Sequence, residues 1–340
     1  MQGADSSQMT FTFNLSTVSA MVSANPSRRS FIIATTLLAV ACTAPAAETP
    51  RPASTPTAFG VLVMAHGGDP QWNRTVLEAV KPLAEKYTVE VAFGMADATT
   101  MREAVRKLEA RGVGNIGVVR LFISGESWFE RTEQIFGLRP GAPKADAGAA
   151  EHAHGPDAHA AHAGHGGHSM AFFAVPSRAG FALSTEGLAD VEEMGTVLAD
   201  RASALSQAAE KEDVLILAHG PENDAENERW LQKLEQRGDA VRKRAPFRRV
   251  HVETLREDWP DKRVEAEKRI RAYVERAKAE GGAAIVIPFR VQGFGPYKEV
   301  LQGLDYVADG KGLLPHAEVS AWLERQIVAL QAGSFRRGEN

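Results

Sequence analysis

The stretch Phe59-Gly60-Val61-Leu62-Val63-Met64-Ala65-His66-Gly67-Gly68 decides the fold. Its continuous apolar run, bounded by glycine, reads as a fully buried central strand of a parallel sheet. Open α/β sheets bind ligands just beyond the carboxyl ends of their strands, and His66 falls there. The phrase returns as Asp213-Val214-Leu215-Ile216-Leu217-Ala218-His219-Gly220. Two copies of strand-Ala-His-Gly predict two similar units, each with an imidazole at a strand tip.

Working outward from His66, residues 71–86 carry Val76, Leu77, Val80 and Leu83 at the spacing of an amphipathic helix, with Pro82 placed to kink or end it. A strand over 88–93 precedes a helix over 97–111, with Asp97 as N-cap and Gly112 as its stop. A third strand, 116–123, ends in Ser124-Gly125. Beyond His219 the order repeats: a helix over about 225–237, a strand over 249–255, a charged helix over 261–280, a strand over 283–291 and a closing helix over about 319–330. Between the two halves, 170–175 reads as a strand with 181–184 as its partner, and 186–211 is helical in pattern. Strands alternating with helices imply βαβ units and right-handed crossovers.

The halves align further. Arg120-Leu121-Phe122-Ile123-Ser124-Gly125 falls against Pro288-Phe289-Arg290-Val291-Gln292-Gly293, and the distance from His to that Gly is 59 residues (66 to 125) in one copy and 74 (219 to 293) in the other. A tandem duplication with a larger loop or helix in the second copy accounts for both. The expected fold class is therefore α/β, two tandem lobes, each a mostly parallel sheet flanked by helices.

A length of 340 residues accommodates two ordinary domains, and a net charge of −4 argues against nucleic acid as the main partner. The single cysteine, Cys42, excludes an intramolecular disulfide and a thiolate metal cluster. Ser27-Arg28-Arg29-Ser30-Phe31-Ile32 resembles the twin-arginine export motif and leads into an apolar run over 31–41, about half the ~20 residues a bilayer span needs. Two endings stay open. Ala39-Val40-Ala41-Cys42 resembles a lipoprotein box with Cys42 lipidated, which would be the chain's contact with a membrane, and Ala44-Pro45-Ala46 offers an ordinary signal-peptidase site. Met21 would give a more typical leader length. The expected address is exported: periplasmic, or a membrane-anchored lipoprotein.

Residues 137–169 break the pattern with Gly, Ala, Pro and His and almost nothing to bury, and read as a low-complexity disordered insert. They hold six of the ten histidines: His152, His154, His159, His162, His165 and His168. Imidazoles on a flexible tract offer nitrogen ligands to transition metals without a preformed geometry, in the Irving–Williams order. The expected organisation is an export signal over 1–46, a linker over 47–58, a first lobe over 59–136, the insert, a second lobe over 170–332 and a tail over 333–340.

At His66-Gly67, the repeated His219-Gly220 and the strands that follow, the chain resembles the class II chelatases, the sirohydrochlorin cobaltochelatase and ferrochelatase family. The resemblance covers most of 59–125 and, more loosely, 213–331. It implies two α/β lobes facing across a cleft that admits a tetrapyrrole, a lyase activity that inserts divalent cobalt, nickel or ferrous iron without a nucleotide, and histidines that bind metal and accept pyrrole protons. A neutral imidazole does both near neutral pH. The implied residues are His66 and His219 for metal and proton, with Gly67 and Gly125 beside them as candidates to meet the macrocycle. The glycine-rich aromatic turn 292–297, with Gln292, Gly293 and Phe294, reads either as lining a flat ligand or as tight packing. Where the family has a second histidine in a Gly-x-His phrase, this chain has Gly125-Glu126-Ser127-Trp128, so Glu126 either takes its place as ligand or base or is a solvated loop residue. The basic runs 242–244 and 248–249 read as a solvated face or as partners for the macrocycle's propionates and acetates. His251 and His316 read as structural. Two other functions fit the same residues: an exported metal store using the histidine tract, and a haem or corrinoid binder without chemistry.

Overall fold

Alternation along the first strand sets the layers. In β1 (Ala58–Ala65), Val61, Val63 and Ala65 join one core while Leu62 and Met64 join another, because successive side chains leave opposite faces of a strand. The same parity recurs in β5 (Glu212–Ala218), where Val214, Ile216 and Ala218 share the first of those cores and Leu215 and Leu217 enter a third. Each sheet is thus covered on both sides, and one core lies between the two. The computed structural model describes residues 58–144 and 170–339. The leader, the linker up to residue 57 and the whole histidine tract lie outside the described residues. Among the described residues no helix is long and apolar enough to cross a membrane.

The first sheet comprises β1, β2 (Val89–Phe93), β3 (Val113–Leu121), β4 (Gly180–Leu183) and the short β8 (Arg336–Arg337), in the order β2-β1-β3-β4-β8 with only β8 antiparallel. The second holds β5, β6 (Arg249–Thr254) and β7 (Ala283–Phe289) in the parallel order β6-β5-β7. The registers repeat across the duplication. Ala65 lies level with Phe93 and Leu121, and Ala218 with Thr254 and Phe289. This is the pairing of Leu121 with Phe289 expected from sequence. Val307, bridged in parallel to Ile285, stands in the second sheet where β4 stands in the first.

Helices α1 (Pro70–Ala84) and α5 (Asp224–Arg244) follow the two histidine turns, and α2 (Ala98–Ala110) and α6 (Pro260–Ala279) the second strands. A short α3 (Phe129–Ile135) and α7 (Tyr297–Val300) follow the third strands, neither anticipated. The last helices, α4 (Glu193–Leu205) and α8 (Ala317–Gln331), are exchanged. α4 packs on α5 and β7, while α8 packs on β3 and α1, with Lys86 of α1 paired to Glu324 at 2.7 Å.

Three expectations are corrected. A second lobe beginning at residue 170 does not hold, because β4 extends the first sheet beside β3. Residues 170–175 form no strand. Their carbonyls instead serve neighbours, with Ala98 N–H donating to Ala171 and Arg131 to Met170, and only Ala174 bridges, to Lys144. The helix expected over 186–211 is cut down to 193–205. Its start is taken up by a backbone clasp, in which Leu188 and Ala189 donate to the carbonyls of Phe122 and Ile123.

Candidate functional site

Each histidine sits on the same turn. Gly67 and Gly220 adopt φ of 80° and 79°, a left-handed conformation that a side chain resists. The turn brings Nδ1 of His66 to 2.7 Å from the Gly67 carbonyl and Nδ1 of His219 to 2.7 Å from that of Gly220. Nδ1 carries the proton and donates, which fixes both rings against their own backbone. The turns then diverge. Behind His66, Gly68 N–H donates to Asn73 Oδ1 at 3.0 Å, Asp69 caps α1, and the Trp72 ring lies 6.3 Å away. Behind His219, Asn227 instead accepts from Thr254 Oγ1, and Trp259 meets the imidazole edge-on at 5.8 Å.

His219 is further committed. Its Nε2 lies 2.6 Å from Asp258 Oδ2 and 3.4 Å from Glu257 Oε1, and the Arg290 guanidinium bonds the same Glu257 oxygen. Burial is the largest single influence and disfavours its charge, but the Asp258 hydrogen bond with the charges of Glu257 and Asp258 outweighs it and raises the pKa. Both ring nitrogens thus face acceptors, and the cluster with Asp258, Glu257 and Arg290 favours the charged imidazolium. A metal ion would have to displace Asp258 to reach it. Among the described residues, no three His, Cys, Asp or Glu side chains are arranged to hold a metal ion. Tyr297 closes the cluster, fully buried, and burial pushes its hydroxyl up.

These shifts carry a pH signature. A histidine whose pKa is raised on folding contributes stability that is complete below its unfolded value, 6.5, and is lost as pH rises through the folded value. Urea unfolding of the wild type is therefore expected to show stability falling as pH is raised from 6.5. Asp258→Asn should flatten that fall, and an unchanged profile would contradict the pairing.

The loop after β3 is held from beneath. Arg120, 1 % exposed, donates to the carbonyls of Gly125 at 2.9 Å and Ser184 at 3.1 Å and to that of Ser127, with the Phe129 ring under its guanidinium at 4.8 Å. Burial pushes its pKa down to about 10, against the charge of Glu133. Gly125 must be glycine, since a Cβ there would stand 2.0 Å from the Thr185 carbonyl. It is packing, rather than contact with a ligand, that explains this glycine.

Glu126 projects from that loop into an ion cluster between the lobes. Arg229 of α5 grips it with Nη2–Oε2 at 2.7 Å and Nε–Oε1 at 3.2 Å, while Lys233 bonds Asp190 at 2.7 Å. The Arg229 hydrogen bond is the main reason its carboxyl is held below the ordinary value, so it stays ionised. These contacts join the carboxyl end of the first sheet, where His66 lies, to the first half of the helix that follows His219.

The glycine-rich turn of the second copy is tighter than its composition implies. Gly293 has φ of 78°, Gly312 packs against Gln292, and the Phe294 ring stacks on Tyr306 at 6.2 Å and meets Tyr297 edge-on. The basic runs point elsewhere. Arg248 and Arg249 pair with buried Asp213 at the amino end of β5, Arg242 with Glu235 and Asp239, and Arg244 with Asp200. His251 stacks on Tyr273, and His316 caps α8 by accepting from Glu318 N–H. An open pocket of ≈ 620 Å³ lies beside Trp259, lined by Glu222, Asp224, Glu226 and Lys262 among others. Sequence reasoning missed Glu257, Asp258 and Arg229, none of which carries a motif, and gave no separate role to Arg290, which ends the third strand of the second copy, or to Tyr297 in the turn that follows it.

Residues 60–131 match the family model described as CbiX, a class II chelatase family. Among solved structures, the chain is similar to SirB from Bacillus subtilis with Fe3+, at 12 % identity over 81 % of this chain and 96 % of that one, with a TM-score of 0.56. It is likewise similar to the sirohydrochlorin chelatase SirB from Bacillus subtilis subspecies spizizenii in complex with cobalt, at 10 % identity over 80 % and 95 %, with a TM-score of 0.50. No curated protein matches the chain. The resemblance to the class II chelatases and the α/β chelatase-like fold expected from sequence are both borne out.

Proposed function

We propose that this chain, CbiX-like in its first lobe and chelatase-like in fold, inserts a divalent metal into a tetrapyrrole. The substrates are cobalt, nickel or ferrous iron and a macrocycle such as sirohydrochlorin, and the reaction exchanges two pyrrole protons for one metal ion. The observation that carries the reading is the repeated turn, which fixes an imidazole through Nδ1 at the carboxyl end of each central strand.

The two copies take different parts. In His66 the Nδ1–H donates to its own glycine, which makes Nε2 the ring nitrogen that acts as base or ligand in this reading. His219 supplies a fixed positive charge within its carboxylate cluster. Glu126, ionised and exposed, belongs to the rim between the lobes. The histidine tract gathers metal for this site, and the twin-arginine leader places the work outside the cytoplasm. Purified protein mixed with sirohydrochlorin and each ion in turn, without ATP, is expected to consume the metal-free absorbance faster than the spontaneous reaction. A rate no faster than the spontaneous one with every one of the three ions would reject the reading.

A second reading rests on the density of the tract, six imidazoles within 152–168. An exported metal store would bind several ions there and metallate nothing.

A further inference from the structure

A tetrapyrrole of the sirohydrochlorin type carries carboxylates around its rim, and a protein that binds one needs cations at the mouth of its site. The conspicuous basic runs do not serve. Arg244 lies fifteen residues along α5 from Arg229, about 22 Å at the helical rise, and Arg248 and Arg249 are spent on Asp213 and Glu280. Arg229 and Lys233 stand instead on the half of α5 that follows the His219 turn, and they reach across to the loop that ends β3. Their present partners, Glu126 and Asp190, are carboxylates. The Arg229 fork already holds Glu126 in the two-point geometry it would offer a ligand carboxylate.

Resting on the chelatase reading, we propose that Arg229 and Lys233 are the carboxylate-recognition residues for the macrocycle, and that Glu126 and Asp190 occupy them in the unliganded protein. Magnitudes favour exchange. Glu126 and Arg229 are 47 % and 48 % exposed, and ion pairs of that kind are worth ~0.2–1 kcal/mol. A ligand carrying several carboxylates on one rigid ring displaces them at little cost, and each new pair draws on ring binding already achieved. Lys233, 28 % exposed and within 4.0 Å of Glu126 as well, lets both cations turn to the ligand together. Glu226, one helical turn before Arg229, adds a negative charge that keeps the cation ionised. Glu126 is then a competitor of the substrate rather than a base.

The test reads binding, not turnover. Uroporphyrin, a metal-free porphyrin with acetate and propionate on every pyrrole, is titrated against the full mature chain by fluorescence quenching. The Arg229→Gln, Lys233→Gln double variant is expected to raise the dissociation constant about tenfold or more, the loss of one or two charge-assisted bonds, and to flatten its dependence on salt. Arg229→Lys should recover part of the affinity. Glu126→Gln should bind tighter than the wild type, because the competitor is gone. Unchanged affinity in the double variant, or weaker binding in Glu126→Gln as a purely structural latch requires, overturns the inference while leaving the chelatase reading in place. A wild type that binds no tetrapyrrole overturns both. Unchanged thermal midpoints confirm that these exposed substitutions leave the fold intact.

Discussion

Replacing His66 by alanine is expected to lower kcat/KM for metal insertion by about a hundredfold or more, the range for removing a general base. The imidazole is fixed by its own backbone, since Nδ1 bonds the adjacent Gly67 carbonyl. The left-handed turn that presents it is set by Gly67 and the α1 cap Asp69, so the variant should stay folded, with a stability change within about 1 kcal/mol. His219→Ala is expected to behave in the opposite way. It leaves Asp258 and Glu257 against Arg290 without their imidazolium, so stability falls while the chemical step is less affected. Steady-state rates and urea midpoints of the two variants, measured together, check the division. Equal rate losses in both would restore a symmetrical pair.

The second large effect concerns Arg120. Arg120→Ala removes the donor shared by the carbonyls of Gly125, Ser127 and Ser184 and leaves a cavity above Phe129. Loss of these bonds in a buried setting is expected to cost about 3 kcal/mol, or a fall of roughly 5 °C in Tm for a chain of this size. Part of the gross loss is offset because burial already disfavours the charge, as its lowered pKa shows. Arg120→Met, which keeps most of the volume, should cost less than alanine. Arg120→Lys should not restore the wild type, because one ammonium cannot reproduce the planar fork across three acceptors. A Tm change below a few degrees would mean that the loop is held by something other than Arg120. The loop bears Glu126, so uroporphyrin affinity should change in the same variants.

How much of this the sequence could reveal depended on how local the physics was. The two strand-His-Gly turns were legible because an apolar run, a histidine and a glycine that must take φ near 80° lie in consecutive positions. The α2 N-cap was legible for the same reason, with Asp97 accepting from Thr99 and Thr100 close by. The alignment of Leu121 with Phe289 held because strand register follows burial on two faces. What was not legible lies far apart in the chain. Glu126 finds Arg229 103 residues away, and Arg120 finds Ser184 64 residues away. A strand arginine reads as an edge residue until the carbonyls that pair it are known. The Asp258 and Glu257 carboxylates meet His219 only because β6 lies beside β5, and their sequence is indistinguishable from a polar loop. Helix α3 escaped because it has seven residues and is capped by Trp128 at φ 59° with no side-chain bond. The lobe boundary failed because β4 returns to the first sheet after the long insert, which periodicity alone does not reveal.

The measurement that bears most directly on the central claim is the initial rate of Co²⁺ insertion into sirohydrochlorin at saturating metal, followed by absorbance for the mature chain and for the same chain lacking 151–168. The account predicts a rate well above the spontaneous one in both proteins, because the histidine turns do the chemistry and the tract only gathers metal. A spontaneous rate in both, with metal binding lost on deleting 151–168, would contradict it and leave a metal store.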